Sequence, residues 1–85
     1  MKPICAVKDL AVQAFGTPFT TRSRGEALRS FKDEVNRTDG QSAVANHPED
    51  FELYEVGHFH DDTGELTCTT PPELIARAKD LKQGA

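Results

Sequence analysis

The stretch from Phe51 to His60 constrains the fold most: Phe51, Leu53, Tyr54, Val56 and Phe59 alternate closely enough with polar residues to predict a strand. Asp61-Asp62-Thr63-Gly64 follows at once, a hairpin loop whose glycine accepts the left-handed conformation, so Glu65 to Thr69 is expected to return as an antiparallel partner. Alternation places Phe51, Leu53 and Phe59 on one face and Tyr54, Val56, His58 and His60 on the other. In a chain of 85 residues such a sheet must supply most of the core, because a protein of this size buries only roughly 60 to 65% of its unfolded surface. A single domain over residues 1–85 is expected.

The remaining elements are expected to cover that hairpin. Lys2 to Asp9, with Ile4 and Val7 beside Cys5 and Ala6, has the composition of a short buried strand, and Phe15 to Thr21 that of a second. Pro18 confines the second to a sheet edge or an irregularity, since proline donates no ladder bond. Ser23-Arg24-Gly25-Glu26 is a capping box, and Ala27, Leu28, Phe31 and Val35 fall within about 100° of a helical wheel, which predicts an amphipathic helix ending near Arg37 to Gly40. Ser42 to Ala45 has room for one helical turn. Thr70-Pro71-Pro72-Glu73 repeats the capping pattern and predicts a last helix with Leu74, Ile75, Ala78 and Leu81 buried, Lys79 and Lys82 near its negative end, and Gly84 as terminator. The expected class is α+β: a small antiparallel sheet with two helices on one face, in the order strand, strand, helix, strand, strand, helix. The other face is then bare, with Tyr54, Val56 and Cys5 or Val7 as its apolar candidates, and a homodimer covering it is expected.

Composition narrows the function classes. The longest apolar run, Ile4 to Val7, is far too short for a membrane helix, and no basic leader precedes a signal-length apolar stretch, so no membrane role and a location inside the cell are expected. Cys5 and Cys68 are too few for a disulfide scaffold and are expected to be reduced, buried thiols. The net charge of −4 conceals an asymmetry, with seven cations against four acids in residues 1–37 and three against ten in residues 38–85. The basic part therefore has the charge to meet nucleic acid, although a net acidic domain lacks the usual footprint of a strong phosphate binder.

Chemistry-bearing patterns are sparse. His58 and His60 point the same way on a strand, but two imidazoles need a third ligand, from His47, Cys68 or a carboxylate, and solvated strand histidines are far commoner than metal sites; no metal or cofactor is expected. Asp62-Thr63-Gly64 matches the triplet of retroviral-type aspartic proteases, yet it is flanked by His60, Asp61 and Glu65 in a hairpin loop and reads as a turn. With no nucleophile elbow, phosphate loop or dinucleotide fingerprint, no enzyme activity is expected. Arg22, Arg24, Arg29, Lys32 and Arg37 cluster on or beside the first helix and, with Phe15, Phe19 and Tyr54 as stacking surfaces, are the candidate contacts to single-stranded DNA. The same spacing allows Arg29–Asp33 and Asp33–Arg37 pairs, which would leave an ordinary salt-bridged helix.

Three blocks, Phe31-Lys32-Asp33-Glu34-Val35-Asn36-Arg37, His47-Pro48-Glu49-Asp50-Phe51-Glu52-Leu53-Tyr54 and Gly57 through Gly64, resemble the small nonstructural protein of gokushovirus-type microviruses, which are single-stranded DNA phages. The resemblance covers roughly residues 3 to 66, and no catalytic residues come with it. It implies a non-capsid protein in the cytoplasm of the infected bacterium that binds single-stranded DNA and assists genome replication or packaging. Of the DNA-contact candidates only Lys32 and Arg37 lie inside a matching block. The competing reading is a non-enzymatic, dimeric interaction module whose acidic C-terminal part engages a basic phage or host protein.

Overall fold

The computed structural model describes residues 1–83, so the terminator expected at Gly84 lies outside the described residues. The chain is an α+β protein whose antiparallel sheet comprises β1 (Lys2–Asp9), β2 (Ala14–Phe15), β3 (Phe19–Thr20), β4 (Phe51–Phe59) and β5 (Leu66–Arg77). Three helices, α1 (Arg24–Val35), α2 (Ala43–Asn46) and α3 (Ala78–Leu81), and a 3-10 turn at Pro48–Asp50 complete it. β1 is flanked by β4 on one side and by both β2 and β3 on the other, and β5 pairs with the outer side of β4.

Local chemistry explains most of these boundaries. The expected second strand is split because Gly16, Thr17 and Pro18 leave the ladder; the Gly16 amide still donates to the Val7 carbonyl at 2.8 Å. Ser23 caps α1 by accepting from the Glu26 amide at 3.1 Å. Glu26 reaches back as expected, but to the Arg22 amide at 3.1 Å rather than to the cap residue itself. Asn36 ends the helix: its amide donates to the Lys32 and Leu81 carbonyls while its oxygen accepts from the Gln83 amide, which straps the C-terminal segment to α1. Lys82 adds a second strap, donating at 3.0 Å to both Val35 and Ala45 carbonyls, at the ends where cations suit helix dipoles.

The largest departure is the last helix. Residues from Leu66 to Arg77 form a strand, and only Ala78–Leu81 is helical. Glu52, Leu53, Tyr54 and Glu55 pair with Arg77, Ala76, Leu74 and Glu73, so the demand of β4 for an outer partner overrides the capping pattern at Thr70. Both prolines are tolerated because residues 69–72 loop out opposite Val56 on an edge strand.

Ala27, Phe31, Val35, Cys5, Leu53 and Ala78 form the core between the helices and one side of the sheet, with Val7, Phe19, Phe51 and Ile75 packed around them. Cys5 and Val7 thus belong to the covered side, not to the bare one, because they oppose Glu55 and Leu53 across the β1–β4 ladder. Cys68 is exposed rather than buried, being on the edge strand. Burial pushes the Cys5 thiol above its ordinary value, and the neighbouring Glu55 carboxylate adds to the shift. A thiol reagent at neutral pH is therefore expected to modify one cysteine rapidly and the second only on unfolding, with Cys68→Ser abolishing the fast phase. Equal rates at both positions would contradict this core.

A bulge at Val56 decides which residues face where. β1 runs without interruption, yet Ile4 opposes Gly57 while Cys5 opposes Glu55, so Val56 is an extra residue in β4. Directly opposed residues share a face. Beyond the bulge His58 therefore moves to the helix side with Pro3, and Phe59 moves to the open side with Lys2, the reverse of strict alternation. Two contacts agree: the His58 Nε2 lies 3.7 Å from Glu55 Oε2, and His60 Nε2 lies 2.7 Å from the Oγ1 of Thr67, the residue opposite His58.

Candidate nucleic-acid interface

The helix cations do not form one free surface. Arg22 is ion-paired to Glu26 at 2.8 Å, and its hydrogen bonds hold that carboxyl below the usual carboxylate range. Arg37 is engaged by Glu34 and Asp39, and Asp39 is lowered chiefly by its hydrogen bond from Arg37. Arg24 binds Glu73 at 2.9 Å and lies 3.9 Å from Glu55. Glu55 is buried at 7% exposure, with the Thr69 hydroxyl as a further partner, so Arg24 serves to offset a buried charge. Arg29 and Lys32 are exposed on α1 and take part in no ion pair among the described residues; neither expected pair with Asp33 is formed. Arg24, Arg29 and Lys32 spread over roughly 12 Å of helical rise and point in directions up to about 140° apart, while Arg22 and Arg37 lie beyond the two ends of α1, so these five side chains are dispersed rather than clustered.

A second cationic surface lies on the helix-free side of the sheet. The register places Lys2, Ile4, Ala6 and Lys8 of β1, Phe15 of β2, Glu52, Tyr54 and Phe59 of β4, and Leu66, Leu74 and Arg77 of β5 there. Phe15 and Tyr54 meet edge to face with centroids 5.3 Å apart, and the Lys8 ammonium stands 5.7 Å from the Phe15 ring centre. Phe15 keeps 43% exposure, so much of the side chain remains accessible. The Tyr54 hydroxyl donates to Glu52 at 2.8 Å, which raises the phenol above its ordinary value, and Arg77 Nε lies 3.3 Å from the other Glu52 oxygen. Glu52 is thereby occupied by its own neighbours.

The two sides of the sheet sort charge by sign. Asp9, Glu55, Glu65 and Glu73 project toward the helix side by their pairings with Phe51, Cys5, His60 and Glu55 respectively, whereas Lys2, Lys8 and Arg77 project to the open side, where Glu52 is the one acid on a described strand and Asp61, just beyond β4, lies near Lys2 and pairs with the N-terminal ammonium. A net acidic chain thus carries a cationic, aromatic face.

Of the stacking residues expected from the sequence, the structure brings Phe15 and Tyr54 together and sends Phe19 to the core. Lys2, Lys8 and Phe59 were not among the expected contacts. The period-two spacing of Lys2 and Lys8 with Ile4 and Ala6 signals the first two; Phe59 joins only through the bulge. For metal, His58 and His60 do share a side, but the described group of close ligand atoms is His47, Glu49 and Asp50, within 4.8 Å of one another on exposed and half-buried positions. Within it His47 Nδ1 lies 3.8 Å from Glu49 Oε1, so two of the three ligand atoms face each other on an exposed turn.

The profile of the phage ORF5 protein family matches residues 2–81. The chain belongs to that family. No curated protein and no solved structure matches the chain. The match spans every strand and helix described above, so the open face and the helix flank both lie within the family region. No described helix is long and apolar enough to cross a membrane.

Proposed function

We propose that this phage accessory protein is the small nonstructural protein of a gokushovirus-type microvirus and binds single-stranded DNA without enzymatic action, assisting genome replication or packaging in the bacterial cytoplasm. The observation that carries the reading is the sorting of charge across the sheet, with Phe15, Tyr54 and Lys8 in contact on the cationic side. Single strands need both elements, because cations neutralise phosphates while bases stack on exposed rings. Arg29 and Lys32 on α1 form a separate, smaller cationic patch that supplements rather than founds the interface.

Fluorescence anisotropy with a labelled oligothymidylate of about 20 nucleotides tests this directly, since stacking tolerates any base. Lys2 and Lys8, which take part in no ion pair among the described residues, are expected to neutralise about two phosphates, so affinity is expected to fall about sevenfold between 50 and 200 mM salt. Absence of binding at low salt, or binding indifferent to salt, would remove the proposal. A protein that recovers basic partners from infected cells after nuclease treatment, and fails the anisotropy assay, is instead the interaction module.

A further inference from the structure

We infer that a second copy of this chain docks antiparallel on the free edge of β5 at Leu66–Cys68, with the two-fold axis at Thr67. β5 is the last strand of the sheet, so one side of its backbone is unpaired by any described strand. In an antiparallel ladder, hydrogen-bonded and non-bonded pairs alternate. His60 donates to the Glu65 carbonyl at 2.8 Å, and the ladder then continues through Phe59–Leu66, His58–Thr67 and Gly57–Cys68. Thr67 therefore turns its N–H and C=O toward β4, while Leu66 and Cys68 turn theirs outward. Rotation about Thr67 sets Leu66 opposite the partner's Cys68 and the partner's Leu66 opposite Cys68, so all outward donors and acceptors of the segment find mates.

Three further features select a copy of this chain at this stretch. Leu66 to Pro72 contains no Asp, Glu, Lys, Arg or His, so two molecules of charge −4 meet there without like charges in register. Leu66, 69% exposed, sits on the open side, where the partner's Cys68 would cover it. The other edge segments are blunted: β2 and β3 are separated at Pro18, and the remainder of β5 is interrupted by the loop at 69–72 and a second register shift near Ile75. Pairing at Thr67 makes the two sheets continuous and joins their open faces. That consequence rests on the DNA reading above; the dimer itself does not.

The test needs no DNA. Wild-type protein is expected to sediment at twice 9.3 kDa at about 100 µM, as concentration-dependent association requires. Thr67→Cys in a Cys68→Ser background is expected to give a covalent dimer on mild oxidation, and Ala14→Cys in that background, at the opposite edge, a monomer. Leu66→Pro removes an outward amide and no ladder bond, so it is expected to weaken association at least tenfold with circular dichroism unchanged; if it misfolds, Leu66→Lys replaces it. Monomer mass at that concentration with no Thr67→Cys crosslink overturns the inference, whatever the anisotropy assay shows.

Discussion

Gly57→Ala is expected to destabilise the protein by about 3 kcal/mol, the upper range for forcing one extra carbon into a packed site. A Cβ at Gly57 would stand 2.4 Å from the Thr67 carbonyl oxygen, 3.4 Å from its carbonyl carbon and 3.5 Å from the Cys68 Cα, all backbone. No side chain can swing aside; the strand must shift. Because Gly57 follows the bulged Val56, the shift would disturb both ladders of β4 at once. Urea unfolding followed by circular dichroism measures the effect as a lower midpoint at constant m-value. Gly40→Ala is the useful contrast: its φ is +74° with nothing within 4 Å, so only local backbone strain is expected there. Equal midpoints for wild type and Gly57→Ala would mean that the strands do not pass as closely as described.

That bulge also marks the limit of what sequence alone discloses. α1 was legible because each of its signals is local: the serine cap, the returning glutamate and the stripe of Ala27, Phe31 and Val35 lie within one helix. The β4–β5 hairpin was legible for the same reason, its loop glycine taking a positive φ of 81° at Gly64. The segment from Thr70 was not, since Leu74, Ile75 and Ala78 suit a helix stripe as well as a strand, and the decision lies with β4, which needs a partner for Glu52 to Glu55. Val56 shows the same dependence more sharply. Period-two reasoning put Phe59 beside Leu53; one extra residue, visible only when both neighbouring strands are aligned, sends it to the other side. The candidate site followed suit: charge counting located cations near α1, but pairing with Glu26, Glu73, Glu34 and Asp39 depends on where carboxylates arrive in three dimensions.

Placement of the site on the sheet leads to the most discriminating variants. Phe15→Ala is expected to weaken binding of oligothymidylate about tenfold, within the range of one lost stacked base. Its ring lies on a two-residue strand at the sheet margin with substantial exposure, so folding stability is expected to change little. Lys2→Glu with Lys8→Glu removes the two cations of that face that take part in no ion pair among the described residues and replaces them with phosphate-repelling groups. Loss of detectable binding is expected, because the two lysines no longer release counterions from that face. Arg22→Glu with Arg37→Glu reverses as many charges on the same chain, yet both guanidinium groups are already committed to Glu26, Glu34 and Asp39. Its effect is expected to stay within about threefold, the long-range field being screened over a Debye length of about 8 Å. The two double variants carry identical net charge, so a difference between them reports position rather than overall electrostatics. Equal losses would mean that DNA responds only to the total charge, and a larger loss for the arginine pair would return the interface to the flank of α1.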